Sequence, residues 1–189
     1  MRSVSTSAPP FIDVFRDRNI PLIIGGGVGL FRKDEAKAAG MLFCWLFERS
    51  NWWLDHNRPE SIIEGDRLLP AALRAWQAAV PYSLPKETGD RLKVWKKEIL
   101  SGRFGHFTAA YHELLNILGY LALDPEDPAQ AVIMANLGRF NTILTDYETA
   151  SMLGGGERDW IRDTEGLFGY ITGHANGTYS EQIGEDLRG

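Results

Sequence analysis

The sequence predicts a mainly α fold, a bundle of about six to seven helices with one short N-terminal β-strand left from a truncated sheet. Three observations lead there. Apolar residues recur at spacings of three and four through most of the chain, glycine- and proline-rich breaks separate those stretches, and only Ile20 to Ile24 reads as a strand.

Taken in order, Pro10 to Arg18 carries Phe11, Val14 and Phe15 on one helical face, with proline at the start where its missing N–H costs nothing. Ile20 to Ile24 is short and β-branched, and Gly25, Gly26, Gly27 and Gly29 end it. A helix from Lys33 to about Glu48 follows, with Asp34 and Glu35 in the first turn, where they complement the positive end of the helix dipole. Its middle, M-L-F-C-W-L-F, is apolar all round, so this helix is expected at the centre of the core.

Asn51 to Gly65 contains Pro59 and several polar residues and reads as a loop with a short helical turn at Pro59 to Ile63. Beyond it, Leu69, Leu73, Trp76 and Val80 mark one amphipathic helix and Leu92, Trp95 and Ile99 a second. Phe107, Tyr111, Leu114, Leu118 and Leu121 mark a third. Asp127 before Pro128 signals a helix start, and the stripe Ile133, Leu137, Phe140, Leu144, Tyr147 runs from there toward Gly154, Gly155 and Gly156. A last helix is expected near Asp159 to Thr172, followed by a polar tail.

A lone strand cannot satisfy its own backbone N–H and C=O groups, so Ile20 to Ile24 is expected to belong to a sheet whose other strands lie outside this chain or come from a neighbouring molecule. That is a sign of truncation.

At 189 residues the chain holds one ordinary domain, or a domain plus a flanking piece. Its longest apolar run, Ala38 to Phe47, falls well short of the roughly 20 residues a bilayer crossing needs. The N-terminus M-R-S-V-S-T-S-A-P-P lacks the apolar segment of a secretory signal, so a soluble, cytoplasmic protein with no membrane partner is expected. Cys44, the single cysteine, lies among Phe43, Trp45 and Leu46 and reads as a small buried hydrophobe. The net charge of −5 conceals a gradient: residues 1–123 carry 16 basic and 13 acidic groups, and residues 124–189 carry 4 and 12. Contact with a polyanion is therefore expected from the first two thirds of the chain.

The glycine cluster does not make a phosphate loop, because G-x-x-x-x-G-K-S/T is absent and the third glycine of G-x-G-x-x-G is replaced by Leu30. A strand-to-helix turn that needs positive φ explains it better. His56, His106, His112 and His174 are scattered without metal-ligand spacing, so no metal site is expected. No G-x-S-x-G elbow occurs, and no catalytic residue or cofactor-binding residue is assigned. The one basic concentration is Arg91, Lys93, Lys96, Lys97 and Arg103, with Trp95 between them. Two readings stand: a solvated helix face, or a salt-sensitive contact to DNA phosphates.

The order of strand, glycine cluster, aromatic residue and charged helix start, from Asn19 to Lys37, resembles the junction between the 2A and 2B subdomains of UvrD/Rep-type superfamily 1 DNA helicases. Gly26, Gly27, Phe31, Glu35 and Lys37 fit the family motif G-G-x-x-F-F-E-R-x-E-I-K-D. The chain departs from it at Leu30, Arg32, Lys33 and Ala38. Arg2 to Ser7 resembles the R-T-N-x-x-S segment that follows a 2A strand, and Phe11 to Pro21 the helix leading to the G-I-P-Y strand. Ala135 to Glu148 is similar to the 2B segment N-L-x-x-F-x-x-V-I-x-D-Y-E, and Gly169 to Tyr179 to the final 2B helix and the turn before motif V. Asn51 to Leu123 is matched by helical character alone.

The resemblance implies residues 1–32 as a piece of 2A, residues 33–173 as a helical 2B-like subdomain, and 174–189 as a tail leading toward motif V. It implies a parent that is an ATP-dependent 3'-to-5' DNA helicase acting in replication or repair, with ATP and Mg held by motifs this chain lacks. The chain itself is then an accessory or regulatory piece without ATPase activity, whose partners are DNA, as duplex or junction, and a regulatory protein. The alternative is a stand-alone α-helical protein-interaction module, with Trp52 or Trp53 as an exposed anchor. A small helical enzyme, its site invisible to spacing, is the third.

Overall fold

The computed structural model describes residues 30–48, 51–53, 62–153, 164–168 and 171. The helix expected at Pro10 to Arg18, the strand at Ile20 to Ile24, the glycines from Gly25 to Gly29 and the tail 174–189 lie outside the described residues. Within them the chain is mainly helical, as its apolar periodicity predicts. The helices are α1 (Asp34–Leu46), α2 (Leu68–Ala79), α3 (Thr88–Leu100), α4 (Phe107–Ile117) and α5 (Pro128–Leu153). Residues 164–168 and 171 are helical too, and single 3-10 turns occur at Leu30–Arg32, Gly65–Arg67 and Tyr120–Ala122.

The apolar middle of α1 places it at the centre of the molecule. Every residue from Ala38 to Leu46 is buried, and Glu35 and Ala36 with them. Its most extensive partner is α2, and both helices carry fully buried alanines (Ala36, Ala38 and Ala39; Ala72), whose small side chains permit close packing. On α2 Trp76 and Val80 are buried as expected, while in the first two turns burial falls on Leu68 and Ala72 and leaves Leu69 and Leu73 half-buried.

Phe43 is the hub of an aromatic core. Its ring lies 4.9 Å from that of Phe47, 5.9 Å from Phe140 and from Phe168, 6.3 Å from Tyr111 and 6.4 Å from Phe107, so separate helical stretches meet α1 at one side chain. Such pairs contribute about 0.5–1.5 kcal/mol each beyond simple burial. Tyr111, fully buried, donates its hydroxyl to the Leu137 carbonyl at 3.1 Å, and burial pushes its pKa well above the ordinary value, so it stays a neutral donor.

At the two ends of the loop expected from Asn51 to Gly65 the described residues form a small antiparallel ladder, and Pro59 to Ser61 of its expected helical turn lie outside the described residues. β1 (Asn51–Trp53) pairs with β2 (Ile62–Glu64), with Trp52 opposite Ile63 and Trp53 opposite Ile62. Tryptophan and isoleucine favour a pleated, half-buried surface, and cross-strand aromatic and β-branched pairs stabilise it. Two strands alone are marginal. This pair is anchored because Trp52, only 3% exposed, packs against Gly40 of α1 and edge-on to Phe31 at 5.5 Å. Trp52 is therefore a core residue and not an exposed anchor.

Local chemistry sets the helix ends. At α5 the Asp127 carboxylate accepts from the amides of Ala129 at 2.8 Å and Gln130 at 3.2 Å, a side-chain cap with Pro128 as first helical residue. At the end of α3, Gly102 takes φ of +78° and Arg103 N–H donates to the Glu98 carbonyl at 3.0 Å, closing a Schellman motif.

Candidate functional site

The residues that carry the family likeness come from two stretches about a hundred positions apart, and they touch. Leu30–Arg32 forms a 3-10 turn that feeds Lys33, the extended N-cap of α1, so Phe31 and Glu35 both enter the core. The Phe31 ring stands edge-on to Phe140 of α5 at 5.0 Å. One turn earlier on α5, Asn136 donates its side-chain amide to Glu35 Oε1 at 2.6 Å. Glu35 is 7% exposed, and a buried carboxyl left unpaired there costs several times what its hydrogen bond contributes, so Asn136 is the residue that makes Glu35 tolerable. Lys37 makes a local ion pair with Asp34 at 2.6 Å on the surface of the same helix. Gly26 and Gly27 lie outside the described residues.

The departures from the motif have physical sense. Leu30, at the position of the motif's first phenylalanine, is buried. Ala38, at zero exposure, occupies a position where an aspartate would need a buried partner. Lys33 is exposed.

The basic residues of α3 do not form one patch. Lys93 and Lys97 are exposed and lie four apart on one face, with Lys93 Nζ 3.0 Å from Asp90. Lys96 does not share that face: it is half-buried, its ammonium lying 4.6 Å above the Trp45 ring and 3.8 Å from Glu48. The cation thus sits at the C-terminal end of α1, where it complements the dipole. Arg91 turns to the other side of α3, into a groove shared with Glu87, Asp90 and Glu98. Arg103 is exposed beyond the helix. Trp95, expected to point into the core, is half-buried and donates its indole N–H to the Ala110 carbonyl at 3.4 Å.

Two features escape a reading by spacing. The pair Glu35 and Asn136 is invisible because its members are 101 positions apart. The groove beside Arg91 is half legible, since Glu87, Arg91, Val94 and Glu98 repeat at helical spacing, but its opposite wall of Glu113 and Ile117 comes from α4. Among the described residues no three His, Cys, Asp or Glu side chains gather as a metal-binding group, and no helix is long and apolar enough to cross a membrane. No protein-family model matches this chain, and no curated protein and no solved structure matches it either.

Proposed function

We propose that this chain is an accessory 2B-like subdomain of an ATP-dependent 3'-to-5' DNA helicase of the UvrD/Rep type, joined to a piece of 2A and without ATPase activity of its own. The observation that supports it most is the convergence of Phe31 with Phe140 and of Glu35 with Asn136. Two segments that each resemble the family, about a hundred positions apart, pack against each other in one core.

The reading assigns DNA contact to Lys93, Lys97 and Arg103, the exposed members of the basic group that lie outside the carboxylate-lined groove of Arg91. Sequencing the native transcript across both ends of this region tests the reading directly. The expected frame reaches G-K-S/T upstream and motif V downstream; a frame with neither overturns it, as does ATP hydrolysis by the isolated chain at a motor's rate. For the DNA part, duplex affinity is expected to fall when Lys93 and Lys97 are both changed to alanine, with the slope of log affinity against log salt reduced by about 2. An unchanged slope returns these lysines to solvation.

A stand-alone helical interaction module is the second reading. It is favoured by the open groove beside Arg91 and by the exposure of Val94 on its lip.

A further inference from the structure

The groove between α3 and α4 has a volume of about 360 Å³ and is lined by Glu87, Asp90, Arg91, Val94, Trp95, Glu98, Glu113 and Ile117. That is near the lower end of the range of about 300–1,000 Å³ typical of ligand sites. Three of its lining residues are apolar. Ile117 is buried, Trp95 is held across the two helices by its hydrogen bond to Ala110, and Val94 is 58% exposed. Around them stand four carboxylates against one guanidinium.

Two of the carboxylates are engaged, Asp90 by Lys93 at 3.0 Å and Glu113 by Asn116 at 3.3 Å. Glu87 and Glu98 have no ion-pair partner among the described residues, and they lie on the same face of α3 as Val94. An apolar floor beside negative charge is complementary to an arginine or lysine, whose methylene stem packs on apolar surface while its charged end remains at the rim. The same field repels nucleic acid, which excludes this side of α3 from the face carrying Lys93 and Lys97.

From this complementarity we infer that the α3–α4 groove docks a polypeptide segment presenting a basic side chain next to an apolar one. The apolar residue covers Val94, and the basic stem lies along Trp95 and Ile117 with its charge at Glu98, one turn beyond Val94 and away from Arg91, while Glu87 at the far end of the groove adds to the negative field. The surface does not depend on the helicase reading, since it makes no use of the Gly26 to Lys37 motif.

The test is fluorescence anisotropy of the full chain with a labelled peptide of alternating leucine and arginine. Saturable binding is expected, weakened by at least about tenfold in Val94→Asp and in Glu98→Lys. Circular dichroism checks that each variant is folded. Should Glu98→Lys fail that check, Glu87→Lys, at the exposed N-cap of α3, takes its place. A matching peptide with serine for leucine is expected to bind at least about tenfold more weakly, because charge alone does not fill the floor. Equal binding of the two peptides overturns the proposal. So does affinity indifferent to the groove variants, which would place the peptide on the acidic C-terminal third, and so does the absence of saturable binding. None of these outcomes bears on the transcript or on the salt slope of duplex binding, so the two proposals fail separately.

Discussion

Glu148 and Thr108 are forty positions apart in the chain and share a hydrogen bond of 2.9 Å, from the threonine hydroxyl to one oxygen of the carboxylate. The other oxygen accepts from the backbone amide of Phe107. The opening amides of a helix have no partner within it, and His106, the N-cap of α4, provides no side-chain cap. Helix α5 provides it instead, so α4 and α5 are joined by polar contact as well as by packing. Glu148→Ala is expected to cost about 1–2 kcal/mol in urea unfolding, and Glu148→Gln, which keeps an acceptor oxygen, clearly less.

Gly40 and Trp52 form a steric lock. A Cβ at position 40 meets the indole ring at 2.5 and 2.8 Å, closer than any real contact allows. Gly40→Ala is therefore expected to destabilise by about 1–3 kcal/mol despite alanine's better helix propensity, because the clash displaces the β1–β2 ladder. Trp52→Ala alone is expected to cost about 3–5 kcal/mol. The double variant is expected to cost less than the two together, since the second change removes the clash created by the first. Simple additivity in denaturant titrations would show that position 40 does not act through the ring.

Glu48 has φ of +56° just past the end of α1, a left-handed conformation that is unfavourable for a residue with a Cβ. Its carboxylate is largely exposed and 3.8 Å from Lys96, an arrangement that contributes little. Glu48→Gly is thus expected to raise stability by about 0.5–1 kcal/mol, the relieved strain exceeding the lost pair. A lower melting temperature for this variant would mean that Lys96 depends on Glu48 more than on the Trp45 ring.

Asp127 sets the acid sensitivity of the start of α5. The backbone amide of Gln130, with further help from its side chain and the amide of Ala129, holds the Asp127 carboxyl below its ordinary pKa. A depressed carboxylate contributes stability that is present above the unfolded value of about 3.9 and is lost as pH falls through the folded value. Asp127→Asn, which caps without titrating, is expected to leave the melting temperature near neutral pH little changed and to flatten its decline below about pH 4. An acid limb identical to that of the parent chain would assign the titration elsewhere.

The elements carried by local signals are legible in the sequence. Asp127 and Pro128 mark the first residues of α5, the apolar run through Phe43 marks α1 as central, and Leu92 and Ile99 mark the inner face of α3. The ladder at Asn51 to Glu64 is not legible, because a three-residue strand has too few positions to display a period and Trp52 is held by Gly40 and Phe31, outside its own segment.

The same division holds for the site. Residue type and spacing by themselves determine that Phe31, Glu35 and Lys37 follow a glycine cluster, and that basic residues concentrate on α3. Only the tertiary structure decides that Asn136 satisfies Glu35, that Lys96 is taken by Trp45 and Glu48, and that Arg91 faces carboxylates while Lys93 and Lys97 face solvent. Helical period is written within about a dozen neighbouring residues, whereas a buried polar group or a charge is settled by whichever distant side chain the packing brings within about 3 Å.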